Sequence, residues 1–341
     1  MEKINYKALC LEKFKGQLLV KNFTLRDLED DELLIKIIVS TIMPADLALL
    51  QGTYGSFLPN PPFTPGMEAA GIIEKVGKNI DINLIGKKVS VTANSSEKSY
   101  NGLWSQYTLT KLDYLIVFDK EVEFEKIFNS QGNPLTAVGF IETIKKHGKK
   151  SVAHNGASSA FGRIFMRLCI DQGIECINIV RKESSIKELT ELGGKHFINT
   201  SDKDWNIKLK QKCEELDVSI LFDCCGGDIT GHCLKAIKNN GILYHFGNLE
   251  LKRLGEIDPK EFSVGGKRMQ GWWLFQFLIQ FPNEDLKKWK DYIKKDFEEN
   301  KVKIFDTSFN ADKFFTLEEV EKAFETYMVQ GKKILFKPWG Y

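Results

Sequence analysis

Histidine is scarce in this chain, and its cysteines show no pairing pattern: 5 His and 7 Cys occur among 341 residues. The cysteines, at 10, 169, 176, 213, 224, 225 and 233, are odd in number, contain no Cys-x-x-Cys and follow no disulfide-scaffold spacing. They read as reduced, mostly buried thiols. His154, His196, His232 and His245 form no pair of metal-ligand spacing with Cys or with one another, so no metal site is expected. Long hydrophobic runs are missing as well, each being broken by Lys, Asp or Gly, and a membrane span is excluded. Charge of one sign is also lacking. The 48 Lys and Arg are spread among 46 Asp and Glu for a net charge of +2, which leaves no basic arm for nucleic acid. The opening MEKINYKALCLEKF carries two acids and alternates like a strand, unlike a signal or transit peptide. With no targeting segment visible, the expected location is the cytoplasm or, after processing, the mitochondrial matrix.

What is present is the composition of a soluble globular protein, 43% hydrophobic and 28% charged, at a length that favours two domains. Residues 1–126 are strand-rich: ELLIKIIVST at 32–41, AAGIIEKVG at 69–77, KKVSVTAN at 87–94 and WSQYTL at 104–109. Gly52, Gly55 and the Pro59–Gly66 cluster punctuate them. From about 127 the rhythm changes. SVAHN at 151–155, CINIV at 176–180, HFIN at 196–199, DVSILFDC at 217–224 and GILYHFG at 241–247 alternate with helical patterns, as in a doubly wound parallel sheet. The expected fold class is therefore α/β. Residues 127–270 form the parallel-sheet domain, and 1–126 with 271–341 form a β-rich domain to which the terminal KKILFKP returns.

The first strand of the parallel sheet leads into Gly156-Ala157-Ser158-Ser159-Ala160-Phe161-Gly162. A small-residue turn opening a helix lets backbone N–H groups approach a pyrophosphate at the helix N-terminus. Ser158, Ser159 and Gly162 are the candidate contacts, although Ala157 and Ser159 stand where a full GxGxxG has glycine. The second strand ends in Arg181-Lys182, where an NAD site usually carries an acid. Two cations suit a 2′-phosphate, and Arg grips it with a bidentate fork, so the expected cofactor is NADPH.

Met43-Pro44-Ala45-Asp46, Pro65-Gly66-Met67-Glu68-Ala69-Ala70-Gly71 and Leu192-Gly193-Gly194-Lys195-His196 resemble the Asn-Pro-x-Asp, PGxExxG and LGAxH strings of the medium-chain dehydrogenase/reductase superfamily. The resemblance runs nearly end to end, and it implies a chaperonin-10-like first domain beside a Rossmann domain. Within the superfamily, Gln51-Gly52-Thr53-Tyr54-Gly55, Gly132-Asn133-Pro134-Leu135-Thr136-Ala137, Cys224-Cys225-Gly226-Gly227, Phe246-Gly247 and Gly271-Trp272-Trp273-Leu274-Phe275-Gln276 are similar to strings of NADPH-dependent 2-enoyl thioester reductases. Zinc-free quinone oxidoreductases resemble it next.

That resemblance implies reduction of the double bond of an enoyl-CoA or an enoyl-acyl carrier protein. Tyr54 would be the catalytic residue, with Asn133, Thr136, Phe246 and Gly247 at the cofactor and Trp273 and Phe275 along the substrate. It also implies a dimer joined near the GWWL string, or a subunit of a larger assembly. Met67 replaces the histidine that would bind catalytic zinc, and a thioether is a poor zinc ligand. Met43, Ala160 and Phe161 depart from the pattern by losing a polar contact or adding bulk at the cofactor, so a reductase fold kept without activity is a third expectation.

Overall fold

The computed structural model describes residues 3–55, 58–96, 99–299, 304–305, 313–329 and 334–340. Two compact units emerge, one from 1–132, 292–302 and 308–341, the other from 133–291 and 303–307. The sequence reading assigned 271–291 to the first unit. That segment groups with the second because Trp272 meets Phe140 edge-on at 4.7 Å and donates its indole N–H to Thr143 Oγ1 at 3.3 Å.

In the first unit the strand Leu33–Thr41 is apolar almost throughout, because both of its faces are covered. Leu33, Ile35 and Ile37 alternate onto a cluster with Ala69, Ile73, Val89 and Leu115, whereas Leu34 faces Tyr107 and Leu109 on the opposite side. The sheet runs Lys313–Phe315, Ile334–Phe336, Leu33–Thr41, Glu68–Val76, Lys88–Thr92, Leu115–Phe118, with Tyr107–Thr110 also paired to Leu33–Thr41. The C-terminal segment thus returns to this unit, Leu335 opposite Thr41 and Phe336 opposite Ser40. Trp104 fixes that return. Its side chain is fully buried, its indole N–H donates to the Thr41 carbonyl at 2.8 Å, and it meets Phe336 and Phe324 edge-on at 5.6 and 5.8 Å.

In the second unit six parallel strands lie in the order His196–Asn199, Glu175–Val180, Ser151–His154, Ile220–Asp223, Ile242–His245, Arg268–Gly271. Numbered along the chain that order is 3-2-1-4-5-6, the doubly wound Rossmann arrangement, in which ligands gather outside the carboxyl ends of the central strands. The α/β fold class is as expected: a GroES-like sheet unit and a Rossmann unit. Among the described residues no helix is long and apolar enough to cross a membrane.

Trp104→Ala removes the aromatic anchor of the returning strand and leaves a cavity. It is expected to cost about 3–5 kcal/mol in urea unfolding of the β-rich unit. Truncating Ile82, which is 69% exposed, is expected to change stability by under about 0.5 kcal/mol. Equal effects of the two would contradict this anchoring role.

Candidate active site

Asp223 closes the strand Ile220–Asp223 and is completely buried. Oδ2 accepts from Thr230 Oγ1 at 2.7 Å and lies 3.0 Å from Nδ1 of His245. Oδ1 accepts from the backbone N–H of Cys225 at 3.0 Å and from the side-chain amide of Asn155. Burial alone would raise this carboxyl, but the hydrogen bonds from His245, Asn155, Thr230 and Cys225 hold it below the ordinary carboxylate range. Asn155 in turn accepts from the backbone N–H of Cys224 at 2.8 Å. One charged group thereby ties together the loops that leave two adjacent strands, Ser151–His154 and Ile220–Asp223.

The first of these loops is the small-residue turn. Gly156 has φ +65°, and a Cβ there would stand 2.5 Å from Cys224 Sγ, so only glycine is accommodated. Ser159 is the N-cap of the helix Ala160–Asp171 and accepts from the Gly162 N–H at 3.0 Å. Capping at Gly162 leaves the N–H groups of Ala160 and Phe161, at the first helical positions, for a ligand anion. Ser158 is half-buried, and its carbonyl is held by Arg163 Nε at 3.2 Å. The bulk of Phe161 is taken up by packing, because its ring meets Phe140 at 5.3 Å and Phe246 at 5.2 Å. Phe140 also stacks on Phe222 at 3.6 Å. The turn therefore keeps the backbone form that a dinucleotide needs despite its Ala and Phe substitutions.

Arg181 and Lys182 follow the strand Glu175–Val180, both exposed, and neither has an ion-pair partner among the described residues. The Arg181 carbonyl accepts from Ser201 Oγ at 2.7 Å, which fixes the backbone and leaves the guanidinium to a ligand. A glycine turn opening onto a helix N-terminus, beside two exposed cations, is an arrangement that suits an anionic dinucleotide.

The structure brings Ser158, Ser159, Gly162, Phe246 and Gly247 around one set of loops. The Phe246 N–H donates to the Asp223 carbonyl at 2.9 Å, and a Cβ on Gly247 would stand 3.2 Å from the Cys224 carbonyl. Asn133 and Thr136 are half-buried, one turn apart on the helix Gly132–Lys146 that carries Phe140. Trp273 and Phe275 pair with each other at 5.4 Å at the start of the helix Leu274–Gln280. Tyr54 belongs to the β-rich unit, half-buried against its apolar cluster in the turn after the helix Pro44–Leu50. Sequence reasoning passed over Asp223, Asn155 and His245. The available signal was an aspartate ending an otherwise apolar buried strand.

Two further carboxyls lie in the strings of the β-rich unit, both completely buried. Asp46 accepts from the Met43 N–H at 2.8 Å, and Glu68 accepts from the Gly132 N–H. Asp46 Oδ1 and Glu68 Oε2 have no hydrogen-bond partner among the described residues. Burial, with the neighbouring Glu68 charge, pushes Asp46 up to about 8, and burial pushes Glu68 up to about 7. Among the described residues, no three His, Cys, Asp or Glu side chains form a metal-binding group.

The signs of these shifts define a test. A carboxyl raised in the folded state binds more protons than the unfolded chain, so its contribution is complete below the unfolded carboxylate range. It is lost as pH rises through about 7 to 8. Asp46→Asn is therefore expected to gain stability relative to wild type between pH 5 and 9, read from urea midpoints at each pH. Parallel profiles would contradict a protonated Asp46.

Residues 29–119 match the family described as the alcohol dehydrogenase GroES-like domain, and residues 160–305 the family described as zinc-binding dehydrogenase. The chain is 28% identical over 310 residues to the mitochondrial enoyl-acyl-carrier-protein reductase of Caenorhabditis elegans, covering 84% of this chain and 87% of that one. A Bacillus thuringiensis protein assigned as an NADPH:quinone reductase shares the fold with a TM-score of 0.84 at 20% identity, covering 98% of this chain and 99% of that one. Etr1p, a 2-enoyl thioester reductase of Candida tropicalis solved with NADP and crotonyl-CoA, shares it with a TM-score of 0.76 at 19% identity, covering 98% and 100%. The two matched domains, in this order and on this fold, make the chain a member of the medium-chain dehydrogenase/reductase superfamily.

Proposed function

We propose that this oxidoreductase uses NADPH to reduce the carbon–carbon double bond of 2-enoyl thioesters carried by coenzyme A or acyl carrier protein. The observation that carries the cofactor is the pair of exposed cations, Arg181 and Lys182, without an ion-pair partner among the described residues, at the carboxyl end of the sheet that also bears the Ser158–Gly162 turn. The substrate class rests on the Tyr54 loop string and on the names of the enoyl reductases that the chain resembles. The mitochondrial matrix is the compartment this reading favours.

Bound there, NADPH would supply a hydride to the β-carbon of the enoyl group. The Arg181 fork and Lys182 grip its 2′-phosphate. The N–H groups of Ala160 and Phe161 meet the pyrophosphate, with Ser158, Ser159 and Gly162 shaping that cradle. Phe246 and Gly247 flank the cofactor, while Asn133 and Thr136 orient the nicotinamide or the thioester. Charge then gathers on the thioester oxygen as an enolate. The Tyr54 hydroxyl donates a hydrogen bond to that oxygen and guides a proton to the α-carbon. Trp273 and Phe275 wall the acyl channel. No catalytic zinc takes part, because Met67 holds the position of the ligand histidine and packs partly buried against an apolar cluster. The strand Arg268–Gly271 ends the parallel sheet with mostly exposed side chains, and a copy of the same strand pairs with it in a homodimer.

Wild-type protein is expected to oxidise NADPH when given crotonyl-CoA. Tyr54→Phe keeps the ring and removes only the hydroxyl, so kcat should fall by about 10²-fold or more with little change in NADPH affinity. Steady-state rates beside fluorescence titration of NADPH measure both. Turnover of a short-chain quinone but not of crotonyl-CoA, insensitive to Tyr54→Phe, would replace this reading with a quinone reductase. Bound NADPH with no turnover of either would replace it with an inactive subunit.

A further inference from the structure

The seven cysteines are not equivalent. Six are buried, and Cys225 is half-exposed beside Cys224 in the loop after Asp223. Both sulfurs converge on the cofactor turn: a Cβ at Gly156 would stand 2.5 Å from Cys224 Sγ and 4.0 Å from Cys225 Sγ. The Cys224 thiol donates to the Asn155 carbonyl at 3.4 Å, in the loop that opens the Gly156 turn. The backbone N–H groups of the two residues are held by Asn155 and Asp223, so the pair is presented rigidly on the site's own hydrogen-bond network. Gly226 and Gly227 follow with φ +71° and +66°, which supplies a pliable segment beside it. We propose that Cys224 and Cys225 form a redox-sensitive vicinal dithiol that hydroperoxides oxidise to a disulfide, and that closing it loosens the dinucleotide cradle. The second clause rests on the assignment of NADPH to the Gly156 turn.

The chemistry balances with hydroperoxide as the only co-reactant. The Cys225 thiolate attacks one peroxide oxygen, the O–O bond breaks, an S–O bond forms, and hydroxide leaves to become water. The Cys224 thiol then attacks the sulfenic sulfur, an S–S bond forms, and a second water departs. Two thiols thus lose two electrons, and hydrogen peroxide becomes two molecules of water. The adjoining Cys224 side chain lowers the Cys225 thiol. Burial and the nearby Asp223 and Glu250 act against it, and the positive charge of Arg181 assists. Cys225 is therefore the attacking thiolate, and Cys224, whose thiol is pushed up by the neighbouring Cys225 and by burial, is the resolving one. Consecutive Cα atoms stand about 3.8 Å apart, below the usual disulfide span of about 4.4–6.8 Å. The product is consequently strained and readily reduced, and it draws Cys224 Sγ away from its contact over Gly156.

The test exposes reduced protein to graded hydrogen peroxide, then maps thiols by mass spectrometry and titrates NADPH by fluorescence before and after dithiothreitol. The expected result is loss of two hydrogens, mapped to the peptide holding Cys224 and Cys225, with NADPH affinity falling tenfold or more and recovering on reduction. NADPH should protect the pair. Cys225→Ser should abolish both effects, Cys224→Ser should stop at a dimedone-reactive sulfenic acid, and Cys169→Ser should behave as wild type. Oxidation mapped first to Cys169 and Cys176, or NADPH affinity unchanged with the disulfide formed, would overturn the proposal. Reduced wild-type protein that binds no NADPH would instead overturn the cofactor assignment, while the thiol map would still decide whether the pair is oxidised first.

Discussion

A carboxylate taken fully out of water stays charged only when hydrogen bonds replace its hydration. Asp223 meets that condition with five donors, from Thr230, His245, Asn155 and the backbone of Cys225 and Gly226. Those donors come from the first, fourth and fifth strand ends of the sheet and from the helix that follows the fourth. Satisfying one buried charge therefore sets the relative positions of the loops at the carboxyl edge. The Gly156 turn, the Cys224–Gly227 loop and the Phe246–Gly247 segment inherit their places from it. Removing the charge would leave five donors without their acceptor, a larger loss than one hydrogen bond.

Around that polar centre the unit is closed by aromatic packing. Phe140 contacts Phe222, Phe161, Phe246 and Trp272 at centroid distances between 3.6 and 5.3 Å. The same cluster explains how the cofactor turn tolerates Phe161, where a small side chain is the pattern, without closing over the helix N-terminus. It also explains why the GWWL segment stays with the Rossmann unit. A Cβ on Gly139 would stand 2.5 Å from Trp272 Cζ2, so the helix surface is hollowed to receive that indole.

Much of this was legible in the residues. Alternation of apolar strands with helical patterns predicts the doubly wound sheet, and the turn from Gly156 to Gly162 lies where small residues precede a helix. The run LLIKIIVST announces a strand, and KKILFKP announces a returning one, seen from Ile334 onward. Other features were illegible for physical reasons. Asp223 belongs to a string that reads as core, and its function depends on Asn155 and His245, which reach it only through the parallel registers. Asp46 and Glu68 stand in recognisable strings, yet the upward shift of both carboxyls follows from burial that no local pattern reveals. The grouping of 271–291 depends on one tryptophan finding a hollowed helix, and apolar periodicity cannot say which partner it chooses.

The proposed function depends on the turn and the two cations acting as one dinucleotide site that reads the 2′-phosphate. Calorimetric titration of NADPH and NADH into wild type and Arg181→Ala tests it most directly. The account predicts tighter binding of NADPH by wild type, and a loss of about 1.5–3 kcal/mol in Arg181→Ala that falls on NADPH alone. Equal affinities of wild type for the two cofactors, or an equal loss for both in the variant, would contradict it.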